Sequence, residues 1–264
     1  LGRALGYAWG RLDGRHRAIG RDNLRRAFPE WDESRLESTA RGVYAHFGRT
    51  LLDILWLSHR SPREILSLAE WEGTEHVEAA IASGRGFLAV TAHFGNWEYH
   101  GVAHGLRYQP IAVVARALDN PELDRRLCAM RTRWGNSVIY KRRALQQVLQ
   151  RVRKGEAVAI LIDQNVQAQD GIFVDFFGRP AATTTVTAAV ALKTGCVLLP
   201  ARALALPDGR YRLIYDPPIA VVRTGDHQAD IARVTQDLTR RIESWVRETP
   251  QQWLWIHKRW KTQP

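Results

Sequence analysis

Only two of the 264 residues are cysteine, Cys128 and Cys196, and they form no CxxC pair. That count and spacing exclude a disulfide framework and a cysteine-ligated zinc knuckle. Cys196 opens the apolar run Val197-Leu198-Leu199 and reads as a small buried core residue. The chain also has no uninterrupted apolar stretch of the ~20 residues that a membrane-spanning helix needs. It carries no low-complexity tract and no internal repeat. The G-x-S-x-G elbow of an acyl-serine enzyme is missing, as is the HEXXH pair of a zinc protease. Acids are scarce, 27 against 38 Lys and Arg, for a formal charge of +11.

Apolar residues make up 45% of the chain and charged residues 25%, so a folded globular protein is expected and disorder is not. The basic excess is unevenly placed. From Arg116 to Lys154 stand eleven Lys and Arg, including Lys141, Arg142 and Arg143, against Asp119, Glu122 and Asp124. Such a field attracts phosphates, anionic lipid head groups or an acidic protein; a solvated basic face without a partner is the alternative. Ten tryptophans are present, three of them in Trp253 to Trp260 beside Lys258 and Arg259. Indoles next to cations suit a membrane interface. They also suit a core edge, and the basic excess tips the reading toward the membrane.

The pattern along the chain predicts one domain over 1–264: a helical, basic part over 1–60 and an α/β core over 86–264. Val43, Phe47, Leu51, Ile54 and Leu55 recur at helical spacing within Arg41–Leu57. Ser61-Pro62 breaks that pattern. After Gly86, Phe87–Thr91 reads as a buried strand, followed by a helix from about Asn96. Next come a strand at Ile111–Val114, a helix from Pro121 to Trp134 with proline in its first turn, and a strand at Val138–Tyr140. Leu145, Val148, Leu149 and Val152 share a helix face that stops at Gly155. Ala157–Ile162 is a further strand. A loop of about twenty residues, Asp163 to Ala182, then precedes the run Thr183–Lys193; loops of that length are usually functional or disordered. Strands at Val197–Leu199 and Tyr211–Tyr215 and a helix from Gln228 to Arg247 close the pattern. The alternation predicts a mostly parallel central sheet covered by helices, behind an N-terminal helical segment.

The densest chemistry is His93-Phe94-Gly95-Asn96-Trp97-Glu98, where strand 87–91 gives way to a helix, the usual ligand edge of an open α/β sheet. Gly95 allows a tight turn and Asn96 is a good N-cap. Within a regular helix His93 and Glu98 would stand roughly 140° apart. They converge only if His93 lies on the turn before the helix, where a carboxylate can fix the tautomer and strengthen the free nitrogen as a base. Asp163 closes the strand at 157–162 on the same edge and reads as an ordering group for the pocket or as a turn residue. Phe173, Phe176 and Phe177 read as the lining of an acyl groove or as core.

The HFGNWE block resembles that of the bacterial lipid A late acyltransferases, within the glycerolipid acyltransferase superfamily marked by a His and an acid five residues apart. Further blocks follow in the family's order. They are Arg21–Pro29; Val114-Ala115-Arg116 with Asp119-Asn120-Pro121; Gly155-Glu156 leading to Asp163-Gln164-Asn165; Phe176-Phe177-Gly178 with Pro180–Thr185; and Gln252–Trp255 with Arg259-Trp260-Lys261. The resemblance implies a glycerolipid-acyltransferase-like α/β fold. It also implies transfer of a fatty acyl group from acyl-carrier protein or acyl-CoA to a hydroxyl of a lipid A precursor. His93 would be the general base and Glu98 its orienting partner, with no covalent acyl-enzyme and no cofactor beyond the thioester co-substrate. Arg116, matching the family's second-block arginine, would hold a phosphate, and Asp163, Gln164, Thr183 and Thr184 would flank the acceptor. The family implies the cytoplasmic face of the bacterial inner membrane, an anionic membrane surface as partner, and a hydrophobic anchor upstream of Leu1.

Other readings stay open at this stage. The same machinery could serve a lysophospholipid, a glycolipid or an ornithine lipid. His100 and His104, spaced i, i+4, suit zinc and a metal-dependent hydrolase. No nucleic-acid-binding motif appears, and no nucleic-acid partner is expected. Oligomeric state is not encoded in any recognisable pattern.

Overall fold

The computed structural model describes residues 1–140 and 144–264, so Lys141, Arg142 and Arg143 of the basic stretch lie outside the described residues. Three helices come first: α1 (Gly2–Leu12), α2 (Gly14–Ala27) and the long α3 (Glu33–Leu57). Asp13 and Asp32 cap α2 and α3 by accepting backbone N–H groups of their first turns. Helix α4 (Pro62–Ser67) opens on a capping box between Ser61 and Glu64, which gives the Ser61-Pro62 break its physical content. The short strand β1 (Ala69–Glu72) and helix α5 (Thr74–Ala82) follow, two elements too brief to show a period in the sequence.

The α/β part then runs β2 (Phe87–Thr91), α6 (Trp97–Arg107), β3 (Ile111–Ala115), α7 (Pro121–Thr132), β4 (Ser137–Tyr140), α8 (Ala144–Arg153) and β5 (Ala157–Leu161). After it come β6 (Gly171–Phe176), β7 (Arg179–Thr184), α9 (Val186–Thr194), β8 (Val197–Ala205), β9 (Tyr211–Tyr215) and α10 (His227–Glu248). Seven strands form the central sheet in the order β1-β9-β8-β2-β5-β3-β4. All neighbours are parallel except the antiparallel pair β8 and β9, so the expected mostly parallel sheet flanked by helices is what forms. Strand β8 continues through Pro200, whose carbonyl still accepts the Asp216 N–H at 3.0 Å, and so outruns the strand expected at Val197–Leu199.

Two expectations are corrected. The segment Asp163–Ala182 is not a plain loop: β6 and β7 pair as an antiparallel hairpin from Gly171↔Thr184 to Phe176↔Arg179. Its turn is Phe177-Gly178, both with positive φ, and an aromatic at the first turn position hides the signal that Asn-Gly or Asp-Gly would give. The C-terminal tryptophans are not an interfacial belt. Trp253, Trp255 and Trp260 are buried, in one core with Leu24, Phe28 and Phe47 of the N-terminal helices and Leu88 and Val158 of the sheet. Phe176 and Phe177 belong to that core too. Large rings remove much apolar surface from water at roughly 25 cal/mol per Å², which a buried site holds better than a wet edge.

Candidate active site

Strands β2 and β5 are neighbours in register, Thr91 opposite Leu161. Two residues beyond each partner, at the C-terminal edge of the sheet, stand His93 and Asp163. The His93 Nδ1–H donates to Asp163 Oδ1 at 2.8 Å, and the His93 backbone N–H donates to Asp163 Oδ2 at 2.8 Å. The Trp253 indole N–H supplies a third donor to Oδ2, also at 2.8 Å. Burial acts to raise the Asp163 pKa, but the neighbouring His93 and the hydrogen bonds from His93 and Trp253 outweigh it and hold the carboxyl below its usual value. With Nδ1 carrying the proton, Nε2 keeps its lone pair. The Gln164 amide nitrogen stands 3.4 Å from it, at the outer side of the ring.

The turn carrying His93 is fixed from every side. Gly95 N–H donates to the Gln252 carbonyl at 2.8 Å and Asn96 N–H to the Ala203 carbonyl at 2.9 Å, while the His93 carbonyl accepts from Leu254 N–H at 3.1 Å. On α3, the buried His46 donates Nε2–H to the Gly95 carbonyl at 3.0 Å, and burial drops its pKa to about 4, keeping it neutral. Gly95 has φ +59, and a Cβ there would lie 1.7 Å from the Ala203 carbonyl oxygen, so both conformation and space require glycine. Asn96 caps α6 as expected, its Oδ1 accepting from Tyr99 N–H at 2.9 Å, and its amide reaches the Tyr211 hydroxyl at 3.3 Å.

Glu98 lies elsewhere than the sequence reading put it. As the second residue of α6 it turns toward α7, where Arg131 grips it in a bidentate pair at 2.8 and 2.5 Å. The Trp97 indole N–H donates to the same carboxylate at 3.1 Å. Trp97 also meets the His93 ring edge-on at 5.1 Å between centroids. The imidazole is therefore oriented by Asp163, while Trp97 stands between it and Glu98, bonded to one and packed against the other. Glu98, Arg131 and Trp97 help to line a narrow cavity of about 40 Å³ between α6 and the sheet, together with Ala89, Val113, Ala159 and Leu161.

The remaining candidates separate. Gln164 is beside the imidazole. Thr183 is fully buried, donating to the Ala181 carbonyl at 3.0 Å and accepting from Arg259 at 2.5 Å, so its hydroxyl holds the chain together and does not face an acceptor. Thr184 accepts from Val186 N–H at 3.4 Å at the entry to α9. Arg116 follows β3 and is exposed, paired with Asp119 at 2.5 Å. Much of the basic stretch is similarly engaged: Arg125 and Arg126 with Glu122, Arg151 with Glu156, Arg131 with Glu98. His100 and His104 lie on the buried face of α6. Burial lowers their pKa values to about 3 and 4, and His104 Nδ1 is taken by the Tyr215 hydroxyl at 2.8 Å. Among the described residues no three His, Cys, Asp or Glu side chains are grouped to hold a metal ion.

Sequence reasoning missed three participants. Trp253 lies in the Gln252–Trp255 block and reads from sequence as an interfacial or core-edge aromatic, not as a partner of Asp163. Arg131 was counted as charge. His257 accepts the Asn165 N–H at 2.8 Å next to the site, and burial lowers its pKa to about 4. A buried carboxylate holding a part-exposed imidazole at the ligand edge of a parallel sheet is an arrangement that can take a proton from a substrate O–H.

Known proteins narrow that chemistry. The family described as bacterial lipid A biosynthesis acyltransferase matches residues 1–262, and the chain belongs to it. It is 30% identical to the lipid A biosynthesis lauroyltransferase of Escherichia coli, over 100% of this chain and 85% of that protein. It is 26% identical to a lipid A biosynthesis acyltransferase of Haemophilus influenzae, over 96% and 78% of the two chains. A phosphatidylinositol mannoside acyltransferase of Mycobacterium tuberculosis is 26% identical over 82% of this chain and 67% of its own length. The protein is an acyltransferase, and its acceptor is a lipid.

Proposed function

We propose that this enzyme moves a fatty acyl group from the thioester of acyl-carrier protein or acyl-CoA to a hydroxyl of a lipid A precursor, at the cytoplasmic face of a bacterial inner membrane. The observation that carries the mechanism is the hydrogen bond between His93 Nδ1 and the buried Asp163 carboxylate, which leaves Nε2 as the outward nitrogen. His93 Nε2 takes the acceptor O–H proton as the oxygen forms its bond to the thioester carbon. The tetrahedral adduct then collapses, the C–S bond breaks, and the thiolate leaves with the proton returned from the imidazolium. Asp163 stabilises that imidazolium and keeps the tautomer, a role worth several powers of ten in rate where the same pairing is known. No cofactor is required beyond the thioester.

The cavity between α6 and the sheet, lined in part by Trp97, Glu98 and Arg131, serves in this reading as the donor's acyl slot. At about 40 Å³ it has room for only a few water-sized volumes, so a chain enters only as its lining side chains move apart. Arg116, free on the surface apart from Asp119, is placed at the end of β3 to exchange that partner for a phosphate. A different glycolipid acceptor is the second reading, and the similarity to mycobacterial mannoside acyltransferases favours it.

The test is to incubate the enzyme with labelled acyl-carrier protein or acyl-CoA and a membrane lipid extract, and to identify by mass spectrometry the lipid that gains an acyl mass. A lipid A precursor acylated by the parent and not by His93→Ala supports the proposal. Labelling of a mannoside or a phospholipid in its place moves the assignment to the second reading. Persistence of transfer in His93→Ala removes the mechanism.

A further inference from the structure

The narrow cavity between α6 and the sheet is left open by small residues. Ala89 of β2 is in register with Ala159 of β5, and both line it together with Ala201 of β8 and Gly101 of α6. Its two ends differ. At the catalytic edge Trp97 meets the His93 ring. Seven residues further along α6, about 10 Å at 1.5 Å per residue, His104 packs against Phe87, the first residue of β2, at 5.9 Å between centroids. The cavity therefore runs inward from the edge toward the start of β2.

This inner end is polar. His104 meets the Tyr215 hydroxyl through Nδ1 at 2.8 Å, while among the described residues its Nε2 has no partner. His100 stands edge-on to the Tyr215 ring at 5.2 Å, and all three side chains line the cavity. Burial holds both imidazoles neutral by drawing their pKa values down. Nε2 of His104 is left over whichever way the Tyr215–His104 hydrogen bond runs. If the hydroxyl donates, Nε2–H lacks an acceptor; if Nδ1–H donates, the Nε2 lone pair lacks a donor. A buried polar atom without a partner is uncommon and destabilising. A wall that served hydrocarbon alone would leave nothing unmet if it were built of leucine. Water at the inner end supplies the missing hydrogen bond, and a cavity of about 40 Å³ has room for it. An alkyl tail supplies none.

We infer that His104, held by Tyr215, sets the length of the acyl tail that the enzyme accepts. A short tail stops before Nε2 and leaves water there; a longer tail strips that water and strands the imidazole. The inference rests on the proposed reading of this cavity as the donor's acyl slot and deepens it by naming the selecting residue. The stop it describes is one of polarity, not of volume.

The test is competition among octanoyl, lauroyl and palmitoyl thioesters for transfer to one acceptor, in the parent and three variants. His104→Leu/Tyr215→Phe removes both partners of the hydrogen bond and nearly keeps their volumes. Its melting temperature should match or exceed the parent's, because no polar atom is stranded. Its kcat/KM ratio for long over short tails should rise about tenfold. His104→Gln, which keeps a polar group at the inner end, should keep the parent's ratio. Gly101→Leu tests the slot itself and should favour short tails. An unchanged ratio in the double variant, with Gly101→Leu favouring short tails, overturns the role of His104 and leaves the acyl slot standing. A ratio that His104→Gln raises as far as the double variant does assigns the stop to shape and also overturns the inference. If Gly101→Leu leaves the competition unchanged as well, the acyl-slot reading fails and this inference falls with it.

Discussion

Replacing Asp163 by Asn keeps the side chain's size and removes only its charge, which makes it the sharpest probe of the site. The carboxylate accepts three N–H groups: the His93 backbone and the Trp253 indole on Oδ2, and His93 Nδ1 on Oδ1. An amide has one acceptor oxygen. If that oxygen takes the Oδ2 position it satisfies two donors, and its NH₂ group then faces His93 Nδ1. Nδ1 must become the acceptor, the proton moves to Nε2, and the lone pair needed by the acceptor hydroxyl is lost. The opposite orientation sets the NH₂ against two buried donors, at about 1–3 kcal/mol for each group left unsatisfied. The first orientation therefore prevails, giving a folded enzyme in the wrong tautomer. The same change in a serine-protease triad lowers kcat about 10⁴-fold, or ~5.5 kcal/mol at ~1.4 kcal/mol per tenfold. We expect a fall of about 10³–10⁴ in kcat, with KM for donor and acceptor little altered. The assay is acyl transfer to the identified lipid, with circular dichroism confirming the fold. Turnover above a tenth of the parent's would refute the orienting role of Asp163.

Glu98→Ala leaves the Arg131 guanidinium, 14% exposed, without its carboxylate; breaking such a pair costs about 3–5 kcal/mol. Thermal denaturation should show a fall of about 10 °C together with loss of most transfer, and adding Arg131→Met should restore part of the melting temperature. Gly101→Leu fills the slot between α6 and the sheet, where a Cβ meets nothing nearer than Val113 at 4.0 Å; competition between long and short acyl thioesters should shift toward the short, and an unchanged preference would place the acyl chain elsewhere. Burial lowers the pKa values of His100 and His104 to about 3 and 4, against about 6.5 for free imidazole. The unfolded chain then binds more protons between those values, so stability is fully present above about pH 6.5 and declines as pH falls toward 4. Melting temperatures across that window should decline, and less steeply in His104→Gln.

Much of this protein is legible along the chain because local physics writes it there. The apolar runs Phe87–Thr91 and Ala157–Leu161 announce buried parallel strands, Asn96 announces the start of α6, and the face of Ile231, Val234, Leu238 and Ile242 announces α10. The HFGNWE turn is also local, so His93 could be picked out with its glycine and its cap. The hairpin at Phe177-Gly178 was hidden only because its turn uses an unusual residue.

What orients His93 was not local. Strands β2 and β5 are neighbours although β3 and β4 lie between them in sequence, and it is their register that sets Asp163, seventy residues away, against the imidazole. Helix packing brings Arg131 to Glu98, and the chain's return beneath the sheet edge brings the Trp253 indole to Asp163. Nearness in sequence made Glu98 the obvious partner, but a residue in the first turn of a helix points where the helix axis sends it. A hydrogen bond depends on ångströms between atoms, and for residues far apart along the chain only the packed sheet and its helices set those distances.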